Sequence, residues 1–319
     1  FADMMQSTAK ELENSIFTDE RLEKKITALL RKKDIRVLYT HFFMNGEGKY
    51  EIHVTARTMK KEKIAAKEIV RAVSEAAGRR LVLSPDCAQM VGPKYMTLVC
   101  REGPAYYTMQ GTARIGKGCS AISGDNFAMM DMPGGKRGAA LSDGMGSGEE
   151  ACKESTLVIE LLEELLGAGF PEKTAIQMIN TTLVMGREEI HYSTVDMTVF
   201  DLYTGECEII KAGASSTFIK KKDCVEHLSS TSLPIGVMNH IEIDSVKRKL
   251  EDFVIMVTDG VLDALPVGEQ DILLETIIQG TAMTNPREIA HHILEQVLAW
   301  TGKEPADDMT VLAVGIWEV

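Results

Sequence analysis

Apolar positions along the chain fall into two textures. Within roughly the first hundred residues, Leu22, Ile26, Leu29 and Leu30 recur at helical spacing among Lys24, Lys25 and Arg31, and apolar strand-like stretches come next at 35–43 and 50–56. Asn45-Gly46 between those stretches predicts a hairpin turn. A second helical face runs through Ile64, Ile69 and Val73 before an apolar run at 81–83. Pro85, Gly92 and Pro93 punctuate the next stretch, and Gly103-Pro104 marks a boundary. Beyond it lie short β-like runs at 106–115, 126–130, 137–141, 194–202, 206–211, 217–219, 241–246, 253–257 and 309–316. Two helical pairs interrupt them, 148–166 with 171–185 and 268–279 with 286–300. Ser147 and Glu150 have capping-box spacing, and Asn285 before Pro286 supplies a helix cap. The pattern predicts an α+β fold over 104–319, two packed, mostly antiparallel β-sheets flanked by helices, preceded by a small α/β segment at 1–103.

Composition sharpens this reading. With 319 residues, 45% of them hydrophobic, the chain buries a large core and has room for two domains. No run approaches the roughly 18 apolar residues of a membrane span, and nothing at the N-terminus resembles a signal peptide. Because the sequence begins at Phe1, it is expected to be a piece of a longer protein. Its six cysteines, Cys87, Cys100, Cys119, Cys152, Cys207 and Cys224, form no CxxC pair, which argues against a zinc site or a disulfide scaffold and fits a reducing cytoplasm. The net charge of -12 is uneven: residues 1–85 carry 17 basic against 12 acidic side chains, the rest 18 against 35. An acidic domain repels phosphate backbones, so nucleic acid is not an expected partner, whereas concentrated carboxylates suit cations.

Candidate chemistry sits in that acidic part. Two Asp-Gly pairs share a setting: Ala139-Ala140-Leu141 runs into Ser142-Asp143-Gly144, and Val254 to Val257 runs into Thr258-Asp259-Gly260. One Asp-Gly pair is usually a hairpin signal, but here each leads into a helical pattern rather than a return strand. Gly124-Asp125-Asn126 and Asp307-Asp308-Met309-Thr310 add further acids at strand starts. Carboxylates with a backbone carbonyl are the donor set that Mg²⁺ and Mn²⁺ favour, and a glycine beside a bridging aspartate lets the backbone approach the ion. The near P-loop at 111–118 is a decoy, since Gly118 stands where a Ser or Thr must hold Mg²⁺. His191, His227, His240, His291 and His292 lie in no matching motif, and surface or structural roles are the expectation for them.

Over 104–319 these motifs, in order Gly124-Asp125-Asn126, Ser142-Asp143-Gly144-Met145-Gly146-Ser147-Gly148, Gly213-Ala214-Ser215, Leu233-Pro234-Ile235-Gly236, Thr258-Asp259-Gly260 and Asp307-Asp308-Met309-Thr310, resemble the PP2C-type phosphatases and, more closely, the bacterial stage II sporulation protein E phosphatases. The resemblance implies a metal-dependent protein serine/threonine phosphatase using two Mn²⁺ or Mg²⁺ ions and an activated water, with Asp125, Asp143 and Asp259 as catalytic residues. Asp143 would bridge the ions, the Gly144 carbonyl and Asp125 would serve one, and Asp259 with the Asp307-Asp308 pair the other. Register favours Asp307 as ligand, and both remain candidates. Ser120 stands about where many eukaryotic members place a phosphate-gripping arginine, so the grip falls to the metals unless Lys117 or Arg114 supplies it. The resemblance further implies a phosphorylated anti-anti-sigma factor as substrate, control of sporulation sigma-factor activation, a regulatory and dimerising role for 1–103, and a parent protein anchored at the cell membrane or division septum with this part in the cytoplasm.

Overall fold

Amphipathic helices and alternating strands assemble into two units, Phe1–Pro104 and Ala105–Val319. The structure, a computed structural model, describes residues 16–44, 49–185, 192–249, 253–301 and 304–319. The Asn45-Gly46 turn and His191 lie outside the described residues. Among the described residues no helix is long and apolar enough to cross a membrane.

The first unit runs β1 (Ile16–Phe17), α1 (Glu20–Arg31), β2 (Ile35–Met44), β3 (Tyr50–Thr58), β4 (Ile64–Ala65), α2 (Ala66–Ala77), β5 (Leu81–Leu83), β6 (Met90–Val91) and β7 (Met96–Glu102). Asp19 starts α1 by accepting a hydrogen bond from the Leu22 amide at 2.9 Å, with Glu20 and Glu23 in the first turn and Arg31 in the last, as the helix dipole favours. Gly78, at φ 65°, ends α2 in the left-handed conformation that glycine adopts without strain. An antiparallel sheet in the order β1-β2-β3-β7-β5 packs with both helices around Ile26, Leu30, Ile52, Ile69, Val73 and Leu98. Ile64 pairs with Val91 in β4 and β6, so the helix expected to include Ile64 begins only at Ala66.

The second unit continues with β8 (Tyr106–Ile115), β9 (Asp125–Met132), β10 (Lys136–Asp143), α3 (Glu149–Gly167), α4 (Glu172–Val184), β11 (Val195–Asp201), β12 (Glu206–Ala212), β13 (Thr217–Lys220), β14 (Val225–Leu228), β15 (Asp244–Lys249), β16 (Phe253–Val257), α5 (Asp259–Asp263), α6 (Gln270–Gln279), α7 (Pro286–Thr301) and β17 (Met309–Glu318). Two antiparallel sheets result, β15-β12-β11-β10-β9 and β14-β13-β16-β17-β8. Their inner faces meet through Ala139, Leu141, Phe200, Ile209, Ile219, Val254, Met256, Leu312 and Val314. On the outer face of the first, Val158, Leu162, Ile176 and Ile179 of α3 and α4 cover Ala140, Met197 and Val199. On the second, Leu274, Ile289 and Ile293 of α6 and α7 cover Ile255, Val311 and Ala313. The predicted α-β-β-α sandwich is the observed architecture.

Local expectations fare unevenly. Asn285 does cap α7, accepting from the Arg287 amide at 2.9 Å. Ser147 does not cap α3: Gly148 takes the N-cap position at φ 87°, with no side-chain bond. The strand expected at 241–246 is displaced to Asp244–Lys249, where its residues pair with Glu206–Lys211 of β12. β14 had no clear apolar alternation, because it is an edge strand whose Glu226 and His227 face solvent.

Candidate metal centre

Strand register builds the first half of the site. β9 and β10 pair with Asp143 opposite Asp125 at the end of the sheet. Side chains alternate along a strand, and Leu141 and Phe127, two residues from these aspartates, belong to the inter-sheet core, so both carboxylates face the same gap between the sheets. The second sheet answers across that gap. Thr258, just past β16, and Thr310, in β17, donate to Asp125 Oδ2 at 3.0 and 2.7 Å. The two threonines are tied to each other, the Thr258 amide donating to the Thr310 carbonyl at 3.1 Å and the Thr310 amide to Thr258 Oγ1 at 2.9 Å. Asp125 is fully buried, and its other oxygen, Oδ1, has no hydrogen-bond partner among the described residues.

Asp143 joins the halves. Its carboxyl lies within electrostatic reach of those of both Asp125 and Asp259, the residue that opens α5. Burial first, then the charges of Asp125 and Asp259, push the Asp143 carboxyl far above the ordinary carboxylate range. Burial also raises Asp125, against the pull of its two threonine hydroxyls. The backbone of Asp143 is fixed on both sides: its amide donates to Thr194 Oγ1 at 3.0 Å, and its carbonyl accepts from Ser193 Oγ at 2.6 Å and the Thr194 amide at 2.9 Å.

Helix α3 presses on the same segment. A Cβ on Gly144 would lie 2.2 Å from the Ala151 carbonyl oxygen, and one on Gly124 would lie 2.9 Å from the Ala151 Cβ, so only glycine admits the first turn of α3 here. Asn126 fastens the contact, its Nδ2 donating to Ser155 Oγ at 2.8 Å and Thr156 Oγ1 at 3.0 Å, while Ser155 Oγ donates to the Gly124 carbonyl.

The adjacent aspartates before β17 do different work. Asp308, only 3% exposed, accepts from the Lys117 amide at Oδ1 (2.8 Å) and the Gly124 amide at Oδ2 (2.7 Å), so both its oxygens hold the loop between β8 and β9. The near P-loop glycine run is thus organised around a carboxylate of the chain itself. Asp307 is partly exposed, and a Cβ on Gly260 would lie 3.3 Å from its own Cβ, which puts it beside the start of α5. Asp263 completes this half: burial, then the charges of Asp259 and Asp307, raise its carboxyl. Sequence reasoning passed over Asp263, although its spacing of four from Asp259 places the two on one helical face. It also passed over Thr258 and Thr310 as partners of Asp125. Arg114, on β8, donates from Nη1 to the Asp125 carbonyl at 3.1 Å, which places its guanidinium at this end of the gap. Of the histidines, His227 is bonded to Glu275 at 2.7 Å, and His240 and His291 are exposed.

Among the described residues no three His, Cys, Asp or Glu side chains already converge as a finished metal cage. The carboxylates form a chain instead, Asp125 to Asp143 to Asp259, with a buried, unpartnered oxygen at one end. An all-oxygen, strongly negative set with an unsatisfied acceptor fits a hard divalent cation.

The family model for stage II sporulation protein E (SpoIIE) matches residues 133–317. A stage II sporulation protein E of Bacillus subtilis (strain 168) is 36% identical over 215 residues, 66% of this chain and 26% of that protein. One from Priestia megaterium is 29% identical over 316 residues, 98% of this chain and 54% of that protein. The chain therefore spans about a quarter and about half of these two relatives. Among solved structures, that of the PP2C phosphatase domain with a fragment of the regulatory domain of the Bacillus subtilis cell fate determinant SpoIIE superposes with a TM-score of 0.69 at 28% identity, covering 92% of this chain and 86% of that one.

The division of labour between the neighbouring aspartates is testable in EDTA, where no cation contributes to stability. Asp308→Ala should lower the unfolding free energy by about 1–3 kcal/mol, because the buried Gly124 amide and the part-buried Lys117 amide lose their acceptor. Asp307→Ala should change it by less than about 0.5 kcal/mol, because its partly exposed carboxylate accepts only from the neighbouring Asp308 amide. Chemical denaturation of both variants makes the comparison, and equal losses would show that the two residues share one role.

Proposed function

The chain belongs to the stage II sporulation protein E family of PP2C-type phosphatases, and from that premise we propose that it is a metal-dependent protein serine/threonine phosphatase whose centre is the acidic end of the sandwich. The observation that carries this reading is Asp125, buried between two threonine hydroxyls with one oxygen left unpartnered and Asp143 directly opposite. Asp143, which interacts with the carboxyls on either side, is the residue suited to bridge two ions. Asp125 and the Gly144 carbonyl would serve one ion, and Asp259 with Asp307 the other. Asp308 is committed to backbone amides and braces the loop rather than ligating. Two Mn²⁺ or Mg²⁺ ions held there would supply an acidified water and positive charge for the phosphoryl oxygens.

The remaining work falls to the chain. Thr258 and Thr310 aim Asp125 and pull its carboxyl toward the charged form against the effect of burial, since a hydroxyl that donates to a carboxylate favours its charged form. Arg114 keeps donors beyond the one given to the Asp125 carbonyl, and its exposed guanidinium is the best-placed cation for gripping a substrate phosphate. The substrate we infer is a phosphoserine on a small regulatory protein of the anti-anti-sigma factor class, so that the enzyme governs sporulation sigma-factor activation. The same family reading supports a regulatory and homodimerising role for the N-terminal unit, no role for nucleic acid, and a parent protein anchored at the cell membrane or division septum with this part in the cytoplasm.

Hydrolysis of a phosphoserine protein should require Mn²⁺ or Mg²⁺ and stop in excess EDTA, and Asp143→Asn should cost more turnover than Asp125→Asn. Persistent activity in chelator, or a near wild-type rate for Asp143→Asn at saturating Mn²⁺, would refute the centre. Arg114→Ala should raise KM for a phosphopeptide about tenfold, the loss of one charge-assisted contact, while leaving the Mn²⁺ concentration for half-activation in place. An unchanged KM would remove Arg114 from the phosphate site. Efficiency toward an intact phosphoprotein should exceed that toward its isolated phosphopeptide by at least roughly tenfold, because remote contacts contribute transition-state binding. Equal kcat/KM values would show recognition confined to the phosphoserine.

A further inference from the structure

Among the described residues the core holds a charged pair that the chemistry above does not use. Lys211, on β12, is 2% exposed, as is Asp196 beside it on β11. Lys211 Nζ donates to Asp196 Oδ2 at 2.8 Å and to Thr217 Oγ1 at 2.6 Å, and Thr217 Oγ1 in turn donates to Asp196 Oδ2 at 2.5 Å. Thr217 is fully buried and lies in β13, which belongs to the other sheet. The triad is therefore a second polar, directional link between the sheets, beside the Thr258 and Thr310 bonds to Asp125, across a gap otherwise filled mainly by apolar side chains.

Its position along the strands matters. Asp196 stands opposite Leu141, two residues before Asp143, and Thr217 stands opposite Met256, three residues before Asp259. Each end of the link thus lies close along the strands to an acid of the centre, one in each sheet. Asp125 and Asp143 come from the first sheet, whereas Asp259 and Asp307 flank strands of the second. A cation held by both sets feels any change in sheet separation. Apolar contacts fix that separation weakly, because they have little directional preference, while a lysine bonded at two short distances tolerates little sliding. Stability alone is a poor reason for the triad, since a buried ion pair often adds nothing over well-packed apolar residues of similar volume.

We propose that Asp196, Lys211 and Thr217 form a positioning clamp that sets the spacing of the two sheets at the metal centre and thereby its affinity for divalent cations. The inference rests on the dimetal reading of the acids. Its residues are not among the ligands assigned above, so they act through the strands they join.

The test measures Mn²⁺ binding directly, by the electron paramagnetic resonance signal of free Mn²⁺, alongside denaturant unfolding in EDTA. The double variant Asp196→Leu/Lys211→Met replaces the pair by apolar side chains, and Thr217→Val removes the cross-sheet hydroxyl at nearly constant volume. The double variant is expected to unfold at or above the wild-type midpoint yet bind Mn²⁺ about tenfold more weakly, the scale at which residues outside the ligand set alter metal affinity. Thr217→Val should shift affinity the same way by less. Wild-type affinity in a folded double variant overturns the clamp. Should the double variant not fold, Thr217→Val decides, and unchanged Mn²⁺ affinity in it overturns the proposal. A wild-type chain that takes up no Mn²⁺ would instead refute the metal centre itself.

Discussion

The acidic end of the sandwich depends on one constraint: carboxylates that repel one another must stand together around one that is shut off from water. Asp125 has no exposed surface, and Asp143, half-buried, interacts with it on one side and with the exposed Asp259 on the other. Repulsion of this kind weakens the fold unless something offsets it. The fold supplies part of the offset itself. Antiparallel register holds Asp143 opposite Asp125, and two hydroxyls from the facing sheet satisfy one Asp125 oxygen. The other oxygen is left for a cation. The sandwich exists to bury Leu141, Phe200, Met256 and Leu312, but its open end is where both sheets can present acids to one point.

The same constraint explains why the surroundings are so tightly braced. A carboxylate under repulsion moves away if its backbone can move, and here it cannot. The Asp143 carbonyl and amide are bonded to Ser193 and Thr194, and Ser193 is bridged to Ile235 in the Leu233-Pro234-Ile235-Gly236 segment. That segment is anchored in turn by Asn180 of α4, which accepts from the Gly236 amide at 2.8 Å and donates to the Met238 carbonyl at 2.9 Å. On the opposite side, the first turn of α3 lies against Gly124 and Gly144 with no room for a side chain. The glycines beside the acids are thus demanded by the helix as much as by any ion.

The reach of each interaction decides how much of this was legible in the sequence. Periodicity is local, so the strands, the two helix pairs and the layer order could be read before any contact was known. The Asp-Gly pairs could be distinguished from hairpins because each runs on into a helical pattern, and α3 and α5 do begin there. Boundaries failed where tertiary contacts overrode local signals: Gly148 displaced Ser147 at the start of α3, and pairing with β12 carried β15 past the apolar Ile241 and Ile243. Within the centre, the sequence named six residues but could not rank Asp307 against Asp308, since the amides of Lys117 and Gly124 that occupy Asp308 come from 191 and 184 positions away. Asp263 was passed over although its spacing of four from Asp259 is a local signal. Thr258 and Thr310 were missed for the same long-range reason as the Asp308 amides, and Arg114 could be named only as one of two candidate cations. These three matter through a neighbour that the fold brings to them.

The raised carboxyls connect stability to ligation. A carboxyl whose pKa is higher in the folded chain than in the unfolded one makes folding take up protons, so its contribution to stability falls as pH rises from the ordinary carboxylate range through the raised value. Asp143, Asp125 and Asp263 all have this sign, with burial the largest cause for each. Near neutral pH they therefore weaken the fold. A divalent cation held there would take the place of those protons, releasing them as it relieved the repulsion. Because only the folded chain gathers these carboxylates, that binding free energy would be added to folding. On the proposed reading, the centre gives up stability in the protein alone and would recover it on ligation. This is the expected arrangement when the same carboxylates must remain free enough to hold an ion whose other positions are needed for water and phosphate.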